Sequence, residues 1–268
     1  MDALKLHLRV VDVGDYLYRV LTLRPQMGVR YSTNFFHETW HILTDEAGAK
    51  VLGRVFWGLS YQKAEGTLVV IDAPHLVTTP FDGDPADRIV IAPLGTSTET
   101  KRLRALRAAL ARKPKSDGTV RFQTWGLPRE ADRSWVESRH DYKLIEDLYD
   151  DERMDRRAGM VCYTAPPEIL RAHGAAIYRI PPDRWGAYHY LDWGRALQHH
   201  ANGEVQVFTN FADRVSAAKV VRREVLGDGA KSLIADQETR WDVQEKVYAA
   251  QLRRVKARVR RAQQARGA

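Results

Sequence analysis

The chain opens on alternation. Leu4, Leu6, Leu8 and Val10 fall on one side of an extended segment, Asp12-Val13-Gly14-Asp15 supplies turn chemistry, and residues 16–23 return, so the pattern predicts a β-hairpin. Over residues 33–43 the spacing of Phe36, Trp40 and Leu43 predicts a helix. Thr44 then caps a second helix with Asp45 and Glu46 in its first turn and an apolar face of Val51, Leu52, Val55, Phe56 and Leu59. The runs at 67–72 (TLVVID) and 88–94 (RIVIAPL) read as buried strands on either side of a Pro/Gly-rich loop.

Gly95 and Thr96 lead into a helix over 96–112, where Thr96 and Glu99 have capping-box spacing and Leu103, Leu106 and Leu110 share a narrow arc. A strand follows at 119–125. Residues 129–158 are crowded with charge and read as a helical connector. Beyond them, strands at 159–164, 175–180 and 204–209 alternate with helices near 166–173, 183–199 and 211–226. The last helix starts near residue 236, with Trp241, Tyr248, Leu252, Val255, Val259 and Ala262 as its apolar stripe. The expected class is α+β (mixed α/β): an N-terminal hairpin and helices, a mixed, partly parallel sheet, and a long basic C-terminal helix. The organisation reads as an N-terminal α/β part (1–128), the connector (129–158) and a C-terminal α/β part (159–268), or as one compact domain.

Charge changes this picture from a plain globular one. Residues 101–115 and 253–266 are rich in Lys and Arg and hold no acid, whereas the whole chain carries 42 basic and 34 acidic residues, so the rest of the chain is acidic. A localised cationic footprint attracts polyanions. The predicted contacts are Lys101, Arg102, Arg104, Arg107 and Arg112 on one helix, and Arg253, Arg254, Lys256, Arg258, Arg260 and Arg261 on the other. Four of seven tryptophans precede glycine, and the stretch Trp185 to Trp193, with Tyr188 between, is the expected stacking platform for bases. DNA or RNA is the expected partner, bound with weak sequence preference, since no helix-turn-helix, zinc-finger or RNA-motif signature is present.

Two metal-hydrolase alternatives compete with this reading. His37-Glu38-Thr39-Trp40-His41 resembles the HExxH signature of zincin metallopeptidases. The resemblance is confined to these residues and implies that His37 and His41 bind zinc while Glu38 activates water. No clear third ligand follows it, and Trp40 is expected to be buried. Asp72, Asp82 and Asp84, near strand ends, would suit Mg²⁺ in a nuclease-like site. A further alternative is an assembly protein that docks a partner or a second copy through its C-terminal helix. The lone Cys162 in GMVCYT reads as a buried strand residue suited to a reducing cytoplasm, and no run is long and apolar enough for a transmembrane segment.

Overall fold

The computed structural model describes residues 3–113, 115–133, 146–184, 186–192, 202–227 and 237–267. It is an α+β fold, and it divides into two compact units: residues 1–76 with 87–209, and residues 77–86 with 210–268.

The larger unit is built on a seven-stranded sheet in the order β7-β1-β2-β5-β6-β9-β8. β1 (Ala3–Val13) and β2 (Tyr16–Thr22) form the predicted hairpin, closed at Gly14 in the left-handed region. β5 (Thr67–Ile71) runs parallel to β2, and β6 (Arg88–Pro93) parallel to β9 (Met160–Ala165). β7 (Gly118–Gln123) and β8 (Arg153–Arg157) close the two edges in antiparallel pairing. The sheet is therefore partly parallel, as the doubly buried apolar runs require.

Helices cover both faces. α2 (Thr100–Arg112) lays Leu103, Leu106 and Leu110 over Val11, Tyr18, Val20, Val70, Val90 and Cys162. On the opposite face sit α1 (Glu46–Leu59), capped by Asp45 through the Gly48 amide, and α4 (Pro167–Tyr178), with the short α3 (Leu127–Ala131) between them in sequence. α1 and α4 touch backbone to backbone at Gly53 and Gly174. A Cβ on Gly53 would lie 2.7 Å from the Gly174 carbonyl oxygen, so only glycine permits the crossing. Phe56 of α1 meets Tyr163 of β9 at 5.1 Å between ring centres.

A second sheet, β10-β11-β4-β3, belongs to the same unit. β3 (Tyr31–Phe36) and β4 (Thr39–Thr44) are a hairpin where the sequence predicts a helix. The three-residue 3/4 pattern there is outweighed by alternating β-branched and aromatic residues, and His37 and Glu38 form the turn with φ of 50° and 62°. Two further expectations fail for related reasons. Residues 175–180 are mostly the end of α4, because a short apolar run does not distinguish strand from helix. Residues 187–191, expected within a helix, are strand β10, paired with β11 (Gly203–Val207). In the connector, residues 153–157 are strand rather than helix, and residues 134–145 lie outside the described residues.

The smaller unit is a helix pair, α5 (Phe211–Leu226) and α6 (Gln237–Gly267), packed through Ala218, Val221, Val243 and Val247. The buried line of α6 is thus displaced by one to two positions from the predicted stripe. Trp241 and Tyr248 are exposed, and the side chain of Val255 lies outside the described residues.

Cys162 is buried in β9, and that burial, foremost, pushes its thiol up to about 12. The native protein should therefore resist iodoacetamide at pH 8 and react once unfolded in guanidinium, as read by mass spectrometry. Equal rates in the two states would contradict this placement.

Candidate functional site

The predicted metal residues are dispersed by the fold. His37 and His41 do not share a helix face: His37 is an exposed turn residue, and His41 is a buried strand residue in a cross-strand row with Asn34, Glu204 and Tyr190. Glu38 lies in the same turn, and Trp40 is buried. The helical geometry that HExxH chemistry needs is absent from this hairpin. Asp82 and Asp84 are buried in the smaller unit and engaged by arginines. Arg240 Nε donates to Asp82 Oδ2 at 2.8 Å, Thr79 Oγ1 donates to Asp82 Oδ1 at 2.9 Å, and Arg222 Nη1 donates to Asp84 Oδ1 at 2.6 Å. Gly83 between them has a φ of +71°, and a Cβ there would stand 2.9 Å from the Ala218 carbonyl oxygen. These acids hold the 77–86 loop against the helix pair, which leaves no free carboxylate pair for Mg²⁺. Among the described residues no group of three or more His, Cys, Asp or Glu is placed to hold a metal ion.

The cationic residues of α2 divide by role. Arg102 is structural: it donates to Asp15 at 2.7 Å and to Ser97 at 3.0 Å and lies 5.0 Å over the Tyr16 ring. Its hydrogen bond holds the Asp15 carboxyl below its ordinary value. Arg107 donates to the Ala158 carbonyl at 2.7 Å and stays exposed. Lys101, Arg104 and Arg112 project into solvent.

Where α2 ends, Lys113 Nζ donates to the Val10 carbonyl at 2.9 Å, and the same sheet face continues as a basic surface. Register places Lys5, His7 and Arg9 of β1 on that face, with Arg121 and Thr119 of β7 opposite Lys5 and His7. Thr22 stands opposite His7 from β2, and Arg24 donates to Thr119 at 2.6 Å. Four buried polar atoms here, His7 Nδ1, Arg9 Nε, Thr22 Oγ1 and Arg24 Nε, have no hydrogen-bond partner. Burial, then the charges of Arg24 and Arg9, lower the pKa of His7. Asp72 at the end of β5 is the one acid of the predicted trio on this unit. Burial raises its pKa, and Arg88, Arg9 and His75 pull it back.

Of the aromatic residues expected to stack on bases, one is described. Tyr188 is 57% exposed but stands on the edge strand of the second sheet, while Trp185 and Trp193 lie outside the described residues. Trp125, at 67% exposure, follows β7 by two residues. The C-terminal cations belong to the smaller unit. Arg253, Arg254, Lys256 and Arg260 are exposed, and the side chains of Arg258 and Arg261 lie outside the described residues.

A second constellation has no counterpart in the sequence reading. Glu152 Oε1 accepts from the Tyr163 hydroxyl at 2.6 Å and sits 2.7 Å from His173 Nε2. His173 Nδ1 in turn lies 2.7 Å from His189 Nε2. Glu152, Tyr163 and His173 have 0% exposure. Burial pushes the Glu152 carboxyl up, but His173 and the Tyr163 hydroxyl more than offset it, leaving the carboxyl below its ordinary value. Only a histidine on the apolar face of α4, flanked by Ile169, Leu170 and Ile177, signalled this cluster.

No protein-family model, curated protein or solved structure matches the chain.

Two outcomes follow from the buried acids. Arg240→Ala should cost about 3–5 kcal/mol in urea unfolding, because it strands the Asp82 carboxylate, whereas Arg104→Ala should cost under about 0.5 kcal/mol. Equal costs would show that the pair is not structural. Since the folded-state pKa of Glu152 is lowered, its stabilisation is present above the ordinary value near 4.5 and is lost as pH falls through the lowered one. Glu152→Gln should therefore be less stable than wild type at pH 7, with a deficit that shrinks below about pH 4.5. A deficit that stays constant with pH would overturn that assignment.

Proposed function

We propose that this protein contacts nucleic acid, DNA or RNA, through the basic sheet face beside α2, with weak sequence preference. The observation that carries the reading is the set of cations on β1 and β7, with Arg24 just past β2, that continues the exposed face of α2 and includes polar atoms without partners. Guanidinium groups and a hydroxyl on a twisted sheet suit phosphate oxygens, which are read without regard to base. Lys5, Arg9, Arg24 and Arg121 join Lys101, Arg104, Arg107 and Arg112 as the contact set, and Trp125 offers the ring on which an unpaired base can stack. Arg253, Arg254, Lys256 and Arg260 on α6 are a separate cationic stretch of the smaller unit. A cytoplasmic site of action suits both a nucleic-acid partner and a buried reduced thiol.

A second reading, assembly through the C-terminal helix, is favoured by Trp241 and Tyr248. They lie seven residues apart on α6 and are 57% and 49% exposed.

The test is fluorescence anisotropy with short single- and double-stranded RNA and DNA across a salt series. Arg104→Glu/Arg121→Glu should weaken binding to all sequences alike and lower the salt slope by about 0.7–0.9 per lost contact. Trp125→Ala should weaken only single strands, by about 1–3 kcal/mol. Absence of salt-dependent binding by wild type, or an unaffected double variant, would remove the proposal.

A further inference from the structure

We propose that Glu152, His173 and His189 form a proton relay whose outer end, His189, reacts as a nucleophile toward neutral acyl carbons, the substrate class being an ester or thioester. The relay is independent of the basic face. Its direction follows from the buried end. An ionised Glu152 can only accept, so His173 Nε2 carries a proton and donates to it, as does the Tyr163 hydroxyl. With that proton on Nε2, His173 accepts at Nδ1, which places the proton of His189 on Nε2 and leaves a lone pair on His189 Nδ1. The same order, carboxylate to orienting group to attacking atom, activates nucleophiles in general.

Three further observations support it. Glu152 and His173 are fully buried, so water does not compete for the relay, and His189 is half-buried. Burial, then the neighbouring His173 and the charge of Arg179, hold the pKa of His189 well below the ordinary 6.5, which keeps its ring unprotonated at neutral pH. Asp192, three residues on, is buried with a φ of 58°. Its Oδ2 accepts from the Met154 amide and from Asn202, both at 2.9 Å, and its Oδ1 has no partner. A left-handed, buried, partly unsatisfied acid is strain of the kind that collects at functional sites.

The charges select the substrate. Among the described residues, the ionisable groups around the two histidines are Glu152, Tyr163, Tyr149, Asp192 and Arg179. Two acids against one guanidinium disfavour an anionic phosphoryl group and accept a neutral carbonyl, whose developing oxyanion Arg179 can stabilise.

The step balances without a co-reactant other than water. His189 Nδ1 attacks the carbonyl carbon, an N–C bond forms, and the ester C–O bond (or thioester C–S bond) breaks. The Nε2 proton moves to His173 Nδ1, and the His173 Nε2 proton moves toward Glu152. The leaving alkoxide or thiolate takes a proton from water, and hydroxide or water then cleaves the acyl-imidazole, returning the carboxylic acid and the neutral relay.

The experiment treats the full chain with diethyl pyrocarbonate near pH 6 and maps the modified histidines by peptide mass spectrometry, with exposed His37 as the internal control. Hydrolysis of p-nitrophenyl acetate is followed in parallel. His189 should be modified before His37, and hydrolysis should stay active below pH 6.5. His189→Asn should abolish it, and His173→Asn should slow it about tenfold or more while leaving the label on His189. Modification of His37 as fast as or faster than His189 overturns the proposal on wild type alone, whether or not the variants fold. A His189→Asn protein that hydrolyses at the wild-type rate overturns it equally.

Discussion

A carboxylate taken out of water without a partner costs several kcal/mol, and that cost organises both units of this protein. In the smaller unit the acids of the 77–86 loop are buried only because Arg222 and Arg240 reach them from α5 and α6. The loop is thereby tied to a helix pair whose own apolar contact, through Ala218, Val221, Val243 and Val247, is modest. In the larger unit Glu152 is buried because Tyr163 of β9 and His173 of α4 both serve it. Each requirement links segments that are far apart in the chain.

The same rule explains why the acids suited to metal chemistry are not the ones left open. A carboxylate near a strand end can bind a cation or close an ion pair, and two of the three predicted residues do the latter. Asp72 differs in that Arg88 and Arg9 act on it through their charge, against the burial that raises its pKa. It sits inside a cationic surface and partly neutralises it.

The sheet face beside α2 is part apolar core and part basic surface. Three leucines bury the half formed by β2, β5, β6 and β9, and the helix stops at Arg112. Lys113 then turns back to the β1 backbone. Past that point β1 and β7 present lysine, histidine and arginine at alternate positions. Alternation that reads as a half-buried hairpin from one side is a basic surface from the other.

The sequence by itself determined the elements with strong local signals. These are the β1–β2 hairpin with Gly14 at its turn, the apolar strands β5, β6 and β9, and the amphipathic α1 and α2, although α1 is capped by Asp45 rather than the expected Thr44 and α2 starts at Thr100 without the expected Thr96–Glu99 capping box. Each is decided within a few residues by periodicity, capping or turn chemistry. The mixed, partly parallel α+β class followed from those runs. Only the tertiary structure decided the rest. Residues 33–43 have two competing periods, and pairing with β11 selects the strand. Arg102 and Arg104 look alike in sequence, yet one pairs with Asp15 and the other projects into solvent, because charge pairing across 87 residues has no local signature. Glu152, His173 and His189 are unremarkable letters in three different elements. Their hydrogen-bonded line exists because α4 packs on β9 and β10, and the cost of burying ionisable groups then forces them to find one another.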